Sequence, residues 1–321
     1  MIPFFLASFI FIRKASAQIP PPKPKPRPPE LGEVDFSQRA IETSPHVNIK
    51  FCVSSGNLRV NGWDRPEVRI IVKNGREPAF KPLENDSNQK PIWLYVKGIL
   101  PEQSSPGYTQ QQCLAGENLQ LDVPYNATLD ISGRASNVEI DSVKKVKITI
   151  VEGVLALRNI QYGVIAETFQ GDIISENIKG QVSLQTGTGN IVVNSSYYMD
   201  VADQFRAKTN SGNISLDNIN HRQIDVNSIT GSIAFNGKLG TGGIYGFRTT
   251  NGQIMLELDP AASFLINASL GFGTIDSQFP LKVITENVMP GGRSIVARYE
   301  NGDANLNIIT SSGNIFLKKR L

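Results

Sequence analysis

One short motif, returning at a nearly fixed interval, limits what this 321-residue chain can fold into more than any other feature. It reads [Ser/Thr/Asn]-Gly-x-[Ile/Leu]-x-[Leu/Val/Phe]. Copies are Ser211-Gly-Asn-Ile-Ser-Leu216, Thr230-Gly-Ser-Ile-Ala-Phe235, Asn251-Gly-Gln-Ile-Met-Leu256 and Ser312-Gly-Asn-Ile-Phe-Leu317. Looser copies surround Gly171 and Gly189, and Gly133, Gly153 and Gly273 mark weaker ones. From Gly133 to Gly273 the steps between these glycines are 20, 18, 18, 23, 19, 21 and 21, and the last step, to Gly313, is 40, two periods. A period near 20 marks an array of stacked structural units.

Each unit carries a second apolar stretch, such as Phe205-Arg-Ala-Lys-Thr209 or Ile224-Asp-Val-Asn-Ser228, in which apolar and polar residues alternate. Alternation with period 2 is the signature of a strand with one buried face. A unit is therefore turn, short strand, loop, short strand. Glycine gives the corner its backbone freedom, and asparagine tolerates left-handed geometry. Two strands in twenty residues cannot bury a face alone, so units must stack. Ile214, Ile233 and Ile254 are expected to line one interior column, and Ala207, Val226 and Phe247 another. Nine or ten rungs at about 4.8 Å give a stack of roughly 45 Å. Thr209, Thr249 and Thr310 read either as hydroxyl ladders or as simple β propensity. The expected fold is all-β: a single-stranded right-handed β-solenoid, a β-helix-like stack of ~20-residue rungs with a small N-terminal antiparallel β cap.

That cap is read over residues 44–125 and the repeat stack over 126–321. An open rung would expose an unpaired strand edge, so an end cap is required. At the other end, Lys318-Lys-Arg320 is expected to put charge on the last edge. Cys52 and Cys113 are the only cysteines. In an exported chain they read as one disulfide closing a loop of about 60 residues, worth ~4 kcal/mol in the chain-entropy model. Trp63 reads as a plug over the open end of the first rung.

The N-terminal residues suggest export. Ile2–Ile12 is an apolar run too short for a hydrocarbon core that needs roughly 20 residues. It ends in Ala15-Ser16-Ala17, so residues 1–17 read as a signal peptide, although Arg13 and Lys14 follow the apolar run instead of preceding it. A short uncleaved anchor, or a start upstream of Met1, is the alternative. Residues 18–43 read as a Pro-rich linker, whose run from Ile19 to Pro29 would form a polyproline II rod of roughly 34 Å. From Val34 onward the chain carries 27 basic and 27 acidic residues. A neutral body offers nucleic acid no electrostatic footprint.

Val53-Ser-Ser-Gly-Asn-Leu-Arg-Val-Asn-Gly-Trp-Asp-Arg-Pro-Glu-Val68, followed by the Ser-Gly-Asn-Ile rungs, resembles a bacterial β-strand-repeat family labelled "putative adhesin", a domain of unknown function. The resemblance runs from about residue 44 to the C-terminus. Gly62-Trp-Asp64 and Thr310-Ser-Ser-Gly-Asn-Ile315 are its most specific parts. It implies an envelope location and a right-handed β-stack, and brings no catalytic residues.

A search for chemistry returns little. Asp172, Asp217, Asp225 and Asp276 fall at unrelated places in their units, so no acid column of a polysaccharide lyase or hydrolase is expected. With His46 and His221 the only histidines, no Ser-His-Asp arrangement is expected, and no metal site. Asn301-Gly-Asp-Ala-Asn305 reads as a turn, not a calcium loop. Gly240-Thr-Gly-Gly243 lacks the third glycine of a dinucleotide fingerprint. No cofactor is expected. Tyr197 and Tyr198, in the longest inter-strand loop of the array, and Trp63 are the candidates for surface contact. The reading that results is a non-enzymatic exported envelope protein of the periplasm or cell surface, without a membrane span in the mature chain. It would act as a structural or adhesive module for a cell-wall or host-surface glycan or protein. A polysaccharide-active enzyme and an envelope-stress sensor or accessory protein are the alternatives.

Overall fold

In the structure the apolar alternation on either side of each corner glycine becomes two strands, one on each of two facing runs. The computed structural model describes residues 36–99, 112–199 and 203–320, which include 25 strands and no helix. Residues 1–17, read as a signal peptide, and most of residues 18–43, read as a Pro-rich linker, lie outside the described residues.

The described part begins with β1 (Phe36–Glu42), inside the stretch read as linker, and continues through β2 (Asn48–Trp63), β3 (Glu67–Lys73), β4 (Pro78–Asn85), β5 (Pro91–Gly98), β6 (Leu114–Pro124) and β7 (Thr128–Asp141). Six regular repeats follow. They are β8 (Lys145–Glu152) with β9 (Leu155–Ile160), β10 (Val164–Gln170) with β11 (Ile173–Lys179), and β12 (Val182–Thr188) with β13 (Ile191–Tyr197). Next come β14 (Gln204–Ser211) with β15 (Ile214–Asn220), β16 (Gln223–Thr230) with β17 (Ile233–Gly237), and β18 (Ile244–Asn251) with β19 (Ile254–Leu258). The even-numbered strands pair in parallel from β8 to β18, and the odd-numbered ones from β9 to β19. The long strands β2 and β7 bend at the corner and take part in both runs.

Register follows the sequence period. Ile214 stands opposite Ile233 and Ile233 opposite Ile254, all buried; Ala207, Val226 and Phe247 form a second buried column. The two runs meet over this core, where Phe235 of β17 packs on Phe247 of β18 at 5.0 Å between ring centroids. A single hydrophobic cluster extends from Val47 to Leu317, so the region read as a cap and the region read as a stack share one core.

Polar ladders explain the motif residue by residue. The Gly212 N–H donates to the Thr230 carbonyl at 2.9 Å, binding one rung to the next through the corner. A Cβ on Gly212 would lie 2.0 Å from the Gly189 carbonyl oxygen, so no side chain fits. At most corners a buried hydroxyl faces inward three residues before the glycine. Thr186, Thr209, Ser228, Thr249 and Thr310 donate to the carbonyls of Gly171, Gly189, Gly212, Gly231 and Gly252 at 2.9 to 3.2 Å. The hydroxyl-ladder reading is therefore correct, with the glycine carbonyls as acceptors. After the corner, the side-chain oxygens of Asp172, Asn190 and Asn213 accept the backbone N–H groups of Asn190, Asn213 and Ser232 one rung on. A second bend sits in the odd-numbered strands, where Asn159, Asn177 and Asn218 adopt left-handed φ of 55°, 53° and 53°. The Asn177 amide donates to the Asn159 carbonyl oxygen at 2.7 Å. Asparagine accepts that backbone at low cost because its short polar side chain bonds locally.

Gly133 is not a corner. It lies within β7 opposite Ile150, and Ser136 holds the corner beside Gly56 and Gly153. Here β7 continues through the bend as one strand, so the 20-residue step mistook a strand glycine for a turn glycine.

Both ends depart from chain order. After β19 come β20 (Phe264–Phe272), β21 (Ile275–Ser277), β22 (Lys282–Met289), β23 (Gly292–Tyr299), β24 (Ala304–Ser312) and β25 (Ile315–Lys319). The last pair returns inside. β24 lies between β18 and β20, and β25 between β19 and β21. The expectation that Lys318 and Lys319 guard the last edge is thus overturned, because they sit on an inner rung. The 40-residue step holds one rung plus the antiparallel hairpin of β22 and β23, which packs onto β20. Spacing alone cannot separate that from two rungs. The N-terminal end uses the same device. β5 and β6 flank β2 on the side away from β7, and antiparallel strands β4, β3 and β1 cover them.

Candidate functional site

A surface trough of about 630 Å³ lies on the outer face of the odd-numbered run, at its N-terminal end. Strand order there is β1–β3–β6–β2–β7–β9. Phe36 of β1 lines the same recess as Ala156 and Arg158 of β9 and Val154, the residue before it. Period 2 places Ile71, Gln120, Arg59 and Glu139 in register along its floor, facing away from the core.

The charges in this trough are paired. Glu139 accepts from the Arg59 guanidinium at 2.9 and 3.1 Å and from Arg158 at 2.5 Å. The Arg59 hydrogen bonds, aided by Arg158 and against a smaller opposing effect of burial, hold the Glu139 carboxyl below its usual range. Lys73 lies 3.4 Å from Glu117, and Arg158 also lies 3.9 Å from Glu176. The uncommitted groups are amides. The Asn137 amide donates to Asn57 at 3.3 Å and the Asn57 amide donates to Asn118 at 3.4 Å, each bond using one N–H. A carboxamide nitrogen has two N–H groups. All three asparagines are exposed.

A second cluster contradicts the expectation that no Ser-His-Asp arrangement exists. The Ser196 hydroxyl is 2.9 Å from His221 Nε2, and His221 Nδ1 is 3.7 Å from an Asp203 carboxylate oxygen. Sequence reading missed it because the three residues meet only when successive rungs stack. Its chemistry is nonetheless structural. Ser196 and His221 are 0% and 1% exposed, so no substrate reaches the hydroxyl. Burial lowers the His221 pKa to about 4, with Asp203 opposing, and the imidazole is neutral at pH 7. His221 packs on Phe205 at 5.6 Å between ring centroids, inside the core. Asp203 also pairs with Arg222.

The other sequence candidates are dispersed. Tyr197 accepts a hydrogen bond from Asn218 at 2.9 Å, and Tyr198, 39% exposed, lies under the Arg222 guanidinium at 5.3 Å. Trp63 does not plug an open rung, since β6 pairs alongside it. Its indole N–H donates to the Glu67 carbonyl at 2.8 Å, and its ring carries Arg69 at 4.7 Å and Arg65 at 5.2 Å. None of these three lines the trough. Cys52 and Cys113 form the expected disulfide, buried where β2 meets the start of β6. Asp172, Asp217, Asp225 and Asp276 occupy four different columns. Among the described residues, no group of three or more His, Cys, Asp or Glu is placed to hold a metal ion. No helix there is long and apolar enough to cross a membrane.

A two-faced, mostly parallel β-stack with glycine corners defines a solenoid-like β-repeat protein, and the chain belongs to the Toastrack DUF4097 family, whose model matches residues 108–318. No curated protein matches the chain. Three solved structures are similar. A "putative lipid binding protein" from Parabacteroides distasonis is 13% identical over 88% of this chain and 96% of its own, at a TM-score of 0.47. A "putative adhesin" from Bacteroides fragilis is 11% identical over 89% and 97%, at 0.34. A "putative cell adhesion protein" from Clostridium sporogenes is 10% identical over 90% and 100%, at 0.26.

Proposed function

We propose that this protein is an exported, non-enzymatic envelope module of the periplasm or cell surface that binds a cell-wall or host-surface glycan or protein. The observation that carries the reading is the pair of outer faces, on which side chains repeat in register one rung apart over the stack. Such faces suit an extended partner. The acids stand in separate columns, and the one serine–histidine pair is sealed in the core, which favours binding over turnover. The buried Cys52–Cys113 disulfide suits an oxidising compartment. Residues 1–17 would be removed on export, and the part of the 18–43 linker ahead of β1 would hold the module away from its anchor point, with 44–125 closing one end of the 126–321 array. Retention of the purified protein on cell-wall or host-surface preparations tests the reading. Failure to bind either refutes it, and release of reducing ends or unsaturated sugars from a polysaccharide panel would replace it with an enzyme.

A further inference from the structure

We propose that the trough between Phe36 and Val154 is a binding subsite for an uncharged, linear β-1,4-linked hexose polymer. This deepens the binding-module reading and rests on it.

The direction of the trough sets the shape of its occupant. It crosses strands β1, β3, β6, β2, β7 and β9, so its long axis runs perpendicular to the strands and measures about 24 Å along the sheet at ~4.8 Å per strand. An extended polymer fits such an axis; a compact ligand would leave most of it empty.

Spacing and polarity set the chemistry. Asn118, Asn57 and Asn137 stand directly opposite one another on β6, β2 and β7. Each keeps at least one amide N–H after the ladder bonds are counted. One donor therefore recurs per strand, at ~4.8 Å, close to the length of one hexose along a β-1,4 chain. Adjacent rings of such a chain are flipped over, so successive amides meet hydroxyls from opposite edges of successive rings, one ring per amide. At the end of this column, in register through Lys73 and two strands from Asn118, stands Phe36 of β1, 63% exposed. An exposed aromatic face beside hydroxyl-matching amides suits the apolar face of a pyranose ring. The charges argue for a neutral polymer, because Arg59, Arg158 and Lys73 each already has a carboxylate partner.

Titration of the isotope-labelled full chain with cellotriose, cellohexaose and maltohexaose, followed by side-chain amide shifts and by calorimetry, tests the proposal. Cellohexaose should shift the Asn57, Asn118 and Asn137 amides and bind about tenfold more tightly than cellotriose, because three rings fill the three amides and only a longer chain also reaches Phe36. Phe36→Ala should weaken it by about fivefold or more, in line with loss of an aromatic contact. Phe36 is exposed at the start of β1, and an unchanged urea midpoint will show that the variant folds. Asn137→Ala should act in the same direction; if it unfolds, Phe36→Ala and the amide shifts decide. Equal binding of the curved α-linked maltohexaose, shifts elsewhere with these amides unmoved, or no binding by cellohexaose overturns the assignment. If the protein is still retained on cell-wall material in those cases, and Phe36→Ala is retained equally, the trough is wrong while the binding-module reading stands.

Discussion

Replacing Gly212 with alanine isolates the interaction on which the stack depends. Two separate costs arise at that site. Its φ is +150°, a region that side chains other than hydrogen avoid at roughly 1–3 kcal/mol. In addition, the new Cβ would stand 2.0 Å from the Gly189 carbonyl oxygen, a backbone atom that also accepts the Thr209 hydroxyl bond. Relieving that overlap means parting two rungs, an overpacking cost of about 1–3 kcal/mol, and Thr209 then loses its acceptor at about 1 kcal/mol. The total, about 3–7 kcal/mol, is comparable with the whole stability of many domains. Gly242→Ala separates the two costs. Its φ is +73°, and nothing lies within 4 Å of a Cβ placed there, so it carries strain without a clash. Urea unfolding followed by circular dichroism should show Gly212→Ala at least 2 kcal/mol less stable than Gly242→Ala, the excess set by the overlap. Equal midpoints for the two variants would refute the claim that corner glycines are required by the neighbouring rung, leaving only their backbone freedom.

Other outcomes follow from the same structure. Thr209→Val keeps the shape but strands the Gly189 carbonyl in the core, and should cost about 1–3 kcal/mol in urea unfolding, whereas Thr250→Val nearby should be almost neutral. His221 has a folded pKa near 4 against its usual 6.5, so the unfolded chain binds the extra proton between those values. Stability should therefore be full above pH 6.5 and fall by about 3 kcal/mol as pH drops through 6.5 to 4, and His221→Leu should flatten that limb of the unfolding profile. Mutating Cys52 and Cys113 together to alanine should lower stability by about 4 kcal/mol in the chain-entropy model, read as a shifted urea midpoint. Truncation after Tyr299 removes an inner rung and not a frayed tail. The shortened chain should expose strand edges on β18 and β20 and aggregate, as light scattering would register.

The repeat was legible wherever a residue's role is local. The spacing of the corner glycines and the alternation around Ile214, Ile233 and Ile254 placed the core columns correctly, because a one-residue error in register would have turned them toward water. One signal was present and went unread. Asn-Ile recurs at Asn159, Asn177 and Asn218, about six residues after a corner, and marks the second bend. The trough left no local trace, since Phe36, Asn57, Asn118 and Asn137 come from four strands far apart in sequence. The buried pair of Ser196 and His221 likewise depends on stacking. Chain threading at the ends was invisible for a different reason: spacing counts residues between glycines and carries no information on which strand a segment pairs with.

The inward return of β24 and β25 has a consequence for how the protein is made. The slot between β18/β19 and β20/β21 stays vacant until β24 and β25 are made, so β20 and β21 reach their final neighbours only after β24 and β25 have been synthesised. Growth of the array by adding copies directly after β25 is also blocked, because β24 and β25 are flanked on both sides. Lengthening such a protein requires new turns of the coil to be inserted mid-chain, among the regular repeats, with both closures carried along intact.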